Sequence, residues 1–415
     1  MQAGHRRFHG ILGRVTPRVR LAWLALAWWA ALPQAQAQLP AAEPLRIGVI
    51  FPLTGGSSDM GNSARIGAQV AADEFNEIGG FLGRRIELIV RDDKADPDTG
   101  VQAAQDLVLK DKVTATVGFC NTGVAAKALD IFQANRHVLI VPCATGTVIT
   151  AKYAPADSYI FRTAARDALQ TRFLAAELAR RKLTQPALIV DRSGYGDAGL
   201  ADLLQALAEV KIRPAIVVRF AVGTKSLQDE LRQARAAGAD SIIGWTVGPE
   251  SGVLAAARAQ LNWSVPQFGP WGLSHRSAFE ASNGAVEGTM SVQTLLPNNF
   301  LERNNAFRLR YRKLSKETLI GSMMSAAQSY DAMQLLFRAL FEAKGDLSGP
   351  ALKRALENLP RRYPGVVTTY DKPFSANDHD AISANMLWLG TWRNGERAYF
   401  YPEDAKRASI LRYKD

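Results

Sequence analysis

The chain is poor in the side chains from which catalytic and metal sites are built: its 415 residues include 5 histidines and 2 cysteines. His137 and His275 stand in no HExxH or nucleophile-elbow context. Asp378-His379-Asp380 has no spaced second cluster, so it reads as a solvated turn rather than a metal site. No Lys/Arg run is interleaved with aromatics, which removes the usual footprint of a nucleic-acid surface. Repeats at solenoid period, low-complexity tracts and long flexible linkers are missing too. The apolar run LAWLALAWWAAL at Leu21 to Leu32 has 12 residues, too few to span a bilayer.

That run follows Arg6, Arg7, Arg14, Arg18 and Arg20 and precedes Ala35-Gln36-Ala37, the pattern of a secretory signal over residues 1–37. Its removal changes the formal charge from +11 to +6, so much of the basicity belongs to the leader. The remainder, in a chain 47% hydrophobic, is long enough for two lobes with separate cores.

What the sequence does have is a regular alternation of short apolar strands and helical patterns, the mark of a doubly wound α/β arrangement. Leu45 to Pro52 reads as a buried parallel strand, and Gly55, Gly56, Ser57 and Ser58 open a loop whose small residues let a ligand approach backbone N–H groups. A helix is expected from near Asn62, with Ala64, Gly67, Ala68, Ala71, Ala72 and Phe75 on one narrow face suited to lying against a sheet. Arg85 to Arg91 supplies a second strand, and Asp96-Pro97 caps the next helix. Further strands are expected at Val113 to Val117, Val138 to Val141, Tyr159 to Thr163, Ala187 to Asp191, Ala215 to Phe220, Ser241 to Trp245 and Pro266 to Phe268.

Gly194, Gly196 and Gly199 form a GxGxxG string between a strand and a helix. A dinucleotide site also needs an acid closing the next strand, whereas that strand ends in Arg219, Phe220, Ala221 and Val222. The glycines therefore read as a tight turn or ligand loop. Cys120 and Cys143 follow neighbouring strands at one carboxyl edge, where either a disulfide or two buried thiols fits the sequence.

Taken in order, several strings resemble the type I periplasmic solute-binding proteins, specifically the leucine/isoleucine/valine-binding family that serves ATP-driven importers. They are PLTG at Pro52 to Gly55, NEIGGFLGRRIEL at Asn76 to Leu88, RDDKADP at Arg91 to Pro97, YIFRT at Tyr159 to Thr163, SGYGDAGL at Ser193 to Leu200 and SYDA at Ser329 to Ala332. The likeness runs from about Leu45 to about Trp392. It implies an α/β fold of two Rossmann-like doubly wound lobes joined by a three-crossing hinge, the type I periplasmic binding protein architecture. Residues 44–165 plus 293–366 would form one lobe and 166–292 plus 367–415 the other, with crossings near Ala164 to Asp167, Val292 to Leu296 and Val366 to Asp371. The implied partners are a small-molecule ligand and the membrane permease subunits of the importer. A monomer is expected, with no nucleic acid, cofactor, metal or catalytic set. The family's own disulfide joins the RDDKADP region to the loop of Cys120, but Ala95 occupies the first of those positions here.

Ligands of open α/β sheets bind at the carboxyl edges of the strands. Asn121 and Thr122 open a helix there, where a hydroxyl and free N–H groups favour an anion; Cys143, Ala144 and Thr145 form the adjacent loop. The resemblance places Thr122 and Thr145 at hydroxyls that grip an amino acid's carboxylate, Cys143 at a backbone contact and Tyr195 at a tyrosine that closes over the ligand. Ser57, Met60, Val247 and Trp271 complete the expected set. Trp271 stands where the amino-acid binders carry an acid for the ligand's ammonium, so the expected solute is an amino-acid-like or, by preference, an aromatic or branched acid. The bland alternative is that Trp271 fills core volume while Glu250 or Asp59 supplies the charge. An amide- or amino-acid-sensing receptor of the same fold is the alternative function.

Overall fold

The computed structural model describes residues 43–297, 302–408 and 412–414; the expected signal, residues 1–37, lies outside them. Leu45–Phe51 (β1) is buried at every position but Arg46, as befits a parallel strand covered on both faces. It is joined by Ile86–Asp92 (β2), Thr116–Gly118 (β3), Leu139–Val141 (β4) and Ile160–Arg162 (β5). These make an all-parallel sheet in the order β2-β1-β3-β4-β5.

A second sheet takes Pro186–Asp191 (β6), Ile216–Phe220 (β7), Ser241–Trp245 (β8), Gln267–Gly269 (β9) and Met290–Gln293 (β10). After a small ribbon of Tyr363–Pro364 (β11) and Thr369–Tyr370 (β12), the chain adds Trp388–Arg393 (β13) and Glu396–Tyr399 (β14). The order is β14-β13-β10-β9-β8-β6-β7, parallel except for the last hairpin at one edge. The two doubly wound lobes expected from the strand alternation are therefore present. Each sheet has apolar side chains on both faces: Ile47, Val49 and Phe51 join one core and Ile50 another. Among the described residues no helix is long and apolar enough to cross a membrane.

Two local expectations shift. The first long helix spans Ser58–Glu77, starting a turn earlier than expected. Asn62 does not open it, because its side-chain amide donates back to Leu53 and Ser58 carbonyls, each at 2.9 Å. The small face of this helix also meets a helix rather than only a sheet. A Cβ on Gly67 would stand 2.1 Å from the Ala326 carbonyl oxygen, which lies in the helix Met323–Glu342. That close crossing ties the late helices to the first lobe, before β13 and β14 return the chain to the second.

Asp378-His379-Asp380 is a buried joint, not a solvated turn. Arg162, at the end of β5, is fully buried and needs an anion. Its Nε donates to Asp380 at 2.6 Å, its Nη1 to the Thr145 and Gly146 carbonyls at 2.9 and 2.7 Å, and its Nη2 to Thr150 at 2.6 Å. His379 packs flat on Phe161, with ring centroids 3.9 Å apart, and is held by the Ile160 carbonyl and Glu357. Asp331 of the SYDA string plays a similar part. Its carboxylate accepts from the Val366 and Val367 backbone, both at 2.8 Å, and from the Tyr370 hydroxyl at 3.1 Å.

Cys120 and Cys143 form a disulfide with a Cα separation of 4.5 Å, which cross-links the loops leaving β3 and β4. The closed loop spans 23 positions, for which restriction of the unfolded chain stabilises by about 2–4 kcal/mol. Denaturant unfolding of Cys120→Ser/Cys143→Ser should show a loss of that size, reproduced by reducing the wild type. Asp380→Asn should cost about 3–5 kcal/mol by leaving the Arg162 charge buried without its partner. A change below about 1 kcal/mol would mean that the loop carbonyls alone satisfy the guanidinium.

Candidate functional site

The loops at the carboxyl ends of the two sheets face and touch each other. A Cβ on Gly194 would stand 3.0 Å from the Gly123 Cα, and one on Gly248 would stand 3.0 Å from the Gly56 carbonyl oxygen. Ser277 Oγ donates to Asp59 at 2.6 Å and Thr147 Oγ1 to Asp202 at 2.7 Å. The lobes thus meet on both sides of the expected ligand loops.

The first lobe's contribution is set by the helix Thr122–Ala134, whose N-cap is Asn121. By helix geometry the first N–H groups from Thr122 onward have no carbonyl one turn earlier and point toward the lobe boundary. Thr122 Oγ1 accepts from the Gly146 N–H at 3.1 Å, which joins this helix start to the loop of Thr145. Asn121 Nδ2 donates to Ser57 Oγ at 3.0 Å, tying in the first loop, while Asn121 Oδ1 is buried without a partner. The Ala144 N–H is already used, donating to the Phe119 carbonyl at 3.1 Å. Met60 is buried in the core, and Val247 is half-buried beside the Gly248 and Gly56 contact.

From the second lobe, the helix Gly194–Glu209 carries Tyr195 at its entrance, with Ser193 capping the Tyr195 and Gly196 N–H groups at 3.2 Å each. The GxGxxG string owes its glycines to close packing. Besides the Gly194 contact, a Cβ on Gly196 would lie 2.1 Å from the Asp191 carbonyl oxygen and one on Gly199 1.9 Å from Trp245 Nε1. Tyr195 is buried and stacks on Trp245 at 5.8 Å. The Asp167 N–H donates to the Thr145 carbonyl at 2.8 Å, and against the larger raising by burial the Thr145 hydroxyl lowers the pKa of both the Tyr195 phenol and the Asp167 carboxyl. Burial, reinforced by Asp167, raises the Tyr195 phenol well above its ordinary value.

Asp167 and Gln170 are members of this group that sequence reasoning did not single out. Asp167 is fully buried and Oδ2 has no partner; burial raises its carboxyl to about 7, against smaller lowering by Thr145 and Arg162. Gln170 Nε2 donates to Asp167 Oδ1 at 3.1 Å, and Gln170 Oε1 accepts from the Trp271 N–H at 3.2 Å. A chain of contacts thus runs from Trp271 through Gln170 and Asp167 to Thr145 and Tyr195. The signal was the acid four positions after YIFRT, at the end of an expected hinge crossing.

The Trp271 ring is 6% exposed and meets His275 edge-on at 4.9 Å. With Thr145, Gln170, Met324 and Gln328 it lines a cavity of about 10 Å³, room for about one water. Neither acid weighed as its substitute is free. Glu250 accepts from the Gly223 N–H at 2.6 Å, and Asp59 holds Ser277 at 2.6 Å and the Met60 N–H at 2.8 Å. Among the described residues no group of three His, Cys, Asp or Glu side chains is placed to hold a metal ion.

Two facing parallel-sheet lobes with polar loops converging at their boundary define a solute-binding architecture rather than a nucleotide-binding one. The family model of periplasmic binding proteins matches residues 44–397, and the chain belongs to that family, in its type I, leucine/isoleucine/valine-binding branch. A Leu/Ile/Val-binding protein homolog of Brucella melitensis is 30% identical over 256 residues, covering 61% of this chain and 67% of that protein. The branched-chain amino acid substrate-binding protein of Streptococcus pneumoniae, solved with isoleucine, has a TM-score of 0.73 at 22% identity, covering 85% of this chain and 97% of that one. A solute-binding protein of R. palustris, solved with benzoate, has a TM-score of 0.74 at 19% identity, covering 86% and 95%.

The raised Asp167 carboxyl makes stability depend on pH. Its folded value of about 7 exceeds the ordinary 3.8, so the folded state holds the proton more tightly and loses stability as pH rises between the two. Denaturant unfolding between pH 5 and pH 8 should show a shallower fall for Asp167→Asn than for the wild type. Parallel curves would place an ionised Asp167 in the folded protein.

Proposed function

We propose that this chain captures one small carboxylate-bearing solute between its lobes in the periplasm and delivers it to the permease subunits of an ATP-driven importer. It does so as a monomer, without catalysis, after cleavage of the leader at residues 1–37. The observation that carries the reading is the approach of Gly194, next to Tyr195, to Gly123 across the lobe boundary, at the helix start where Thr122 is bonded to the loop of Thr145. A solute carboxylate fits that helix start, where unpaired N–H groups and the dipole favour an anion. The chain segments near Ala164 to Asp167, Val292 to Leu296 and Val366 to Asp371 serve as the hinge, dividing residues 44–165 plus 293–366 from the remainder.

Trp271 favours a solute without an α-amino group. An ammonium shut into the boundary without a partner is costly, while an aromatic ring stacked on the indole contributes about 0.5–1.5 kcal/mol beyond area burial. The benzoate complex of the R. palustris protein agrees with this class, whereas the naming of the Brucella relative agrees with a branched-chain amino acid. One observation favours the second: Asp167 Oδ2, buried and unpartnered, offers an ammonium its counter-charge. The two readings differ in whether Asp167 is a ligand contact.

A thermal-shift panel of aromatic carboxylates, aliphatic keto acids and branched-chain amino acids separates them. Aromatic carboxylates should raise the melting temperature most, and Trp271→Glu should remove that preference. By calorimetry, Thr122→Val and Thr145→Val should each weaken binding by about 1.5–3 kcal/mol, the range for a hydrogen bond to a charged group. Stabilisation chiefly by leucine, isoleucine or valine, lost in Asp167→Asn, would establish the amino-acid reading instead. Unaltered affinity in both threonine variants would remove these loops from the site.

A further inference from the structure

Away from the Thr145 and Tyr195 group lies a cavity of about 670 Å³, walled by the β13–β14 hairpin, the helix Glu302–Ser315 and the segment from Leu319 to Met323. Its volume suits a small organic molecule. Five arginines line it: Arg276, Arg308, Arg312, Arg393 and Arg397, against a single carboxylate, Glu396. Arg276 is paired with Glu280 at 2.6 Å, but among the described residues no carboxylate stands within ion-pair distance of the other four.

Arg312 and Arg393 are exposed, and water satisfies them. Arg308 and Arg397 are half-buried. Burial and the nearby charge of Arg308 lower the Arg397 guanidinium to about 10, and its one hydrogen bond is a 3.5 Å contact from Nη1 to the Ser274 carbonyl. Asn304 supplies an independent sign. It is 1% exposed, it lines the same cavity, and both of its amide atoms lack a partner among the described residues. An amide closed off from water with neither donor nor acceptor used is a costly arrangement unless something else meets it.

The apolar part of the wall combines Leu295, Leu319, Ile320 and Met323 with the rings of Phe279, Trp392 and Tyr399. Trp392 is fixed by an Nε1 bond to the Leu273 carbonyl at 2.9 Å, packs on Phe279 at 4.8 Å and lies beneath Arg397 at 5.8 Å. Fixed indole, unpaired guanidinium groups and an unused amide together form a surface complementary to a flat anion. We propose that this cavity, whose walls also come from both lobes, is a second ligand site, separate from the loops of Thr122 and Thr145, for a small aromatic molecule bearing a carboxylate, sulfonate or phosphate. Arg308 and Arg397 hold the anionic group, Asn304 adds an amide hydrogen bond, and Trp392 stacks on the ring.

The probe is 8-anilinonaphthalene-1-sulfonate, an aromatic anion whose fluorescence rises on binding, titrated at low ionic strength into the purified protein. One saturable site is expected, weakened by added sodium chloride and displaced by inorganic phosphate. Arg308→Glu and Arg397→Gln should each lower dye affinity at least tenfold. Thr122→Val, which damages the site at the Thr122 and Thr145 loops, should leave the dye bound as tightly as before. Should Arg397→Gln fail to fold, Arg308→Glu decides alone, since its side chain is farther from the core. Dye affinity unchanged in Arg308→Glu, no saturable binding, or dye binding lost in Thr122→Val would each overturn the proposal, the last by placing the dye at the Thr122 and Thr145 loops.

Discussion

The buried charge of Arg162 is the constraint on which the site depends. A guanidinium with no exposure must have every donor answered, and the answers come from the loop that carries Thr145 and from the returning chain at Asp380. One side chain therefore fixes the Thr145 loop of the first lobe and fastens to it a segment more than two hundred residues later. The Cys120–Cys143 bridge holds the Thr145 loop from its other end and ties it to the loop of Thr122, joining the residue before Asn121 to the residue before Ala144. Between a covalent link and an ionic one, the polypeptide around Thr122 and Thr145 has little freedom left. A site of this kind is preorganised, and little ordering remains to be done when a solute arrives.

Much of the fold was legible because parallel strands buried on both faces leave unbroken apolar runs, and the strand at Ser241–Trp245 lies where its composition put it. Asp96 and Pro97 were legible for a local reason, since Asp96 accepts from the Thr99 N–H at 2.8 Å just ahead of the proline. The misreadings come from non-local partners. Gly67 was assigned to a sheet because the helix that presses on it lies more than 250 positions away. Asp378-His379-Asp380 looked solvated because nothing adjacent in sequence announces the Arg162 charge that draws it inward.

In the site, the threonines and Tyr195 could be named from the loops they occupy, whereas Asp167 and Gln170 could not. Their importance lies in one unused carboxylate oxygen and a relay to the Trp271 backbone, which exist only after folding. The glycine string before and after Tyr195 is instructive in the opposite sense. It has the spacing of a phosphate-binding turn, yet each glycine is accounted for by a neighbour that leaves no room for a Cβ. The spacing reports how tightly a helix may approach, and phosphate binding is one use of that closeness among several.

The seam between the lobes runs through main chain at Gly123 against Gly194 and at Gly56 against Gly248. Ser277–Asp59 and Thr147–Asp202 add side-chain bonds beside it, but where glycine meets glycine there are no rotamers to freeze. In the capture proposed above, contacts of this kind leave much of the retention to the solute itself. A bulkier residue at any of these positions would act as a doorstop, exchanging tight retention for quick release without touching a single group that recognises the solute.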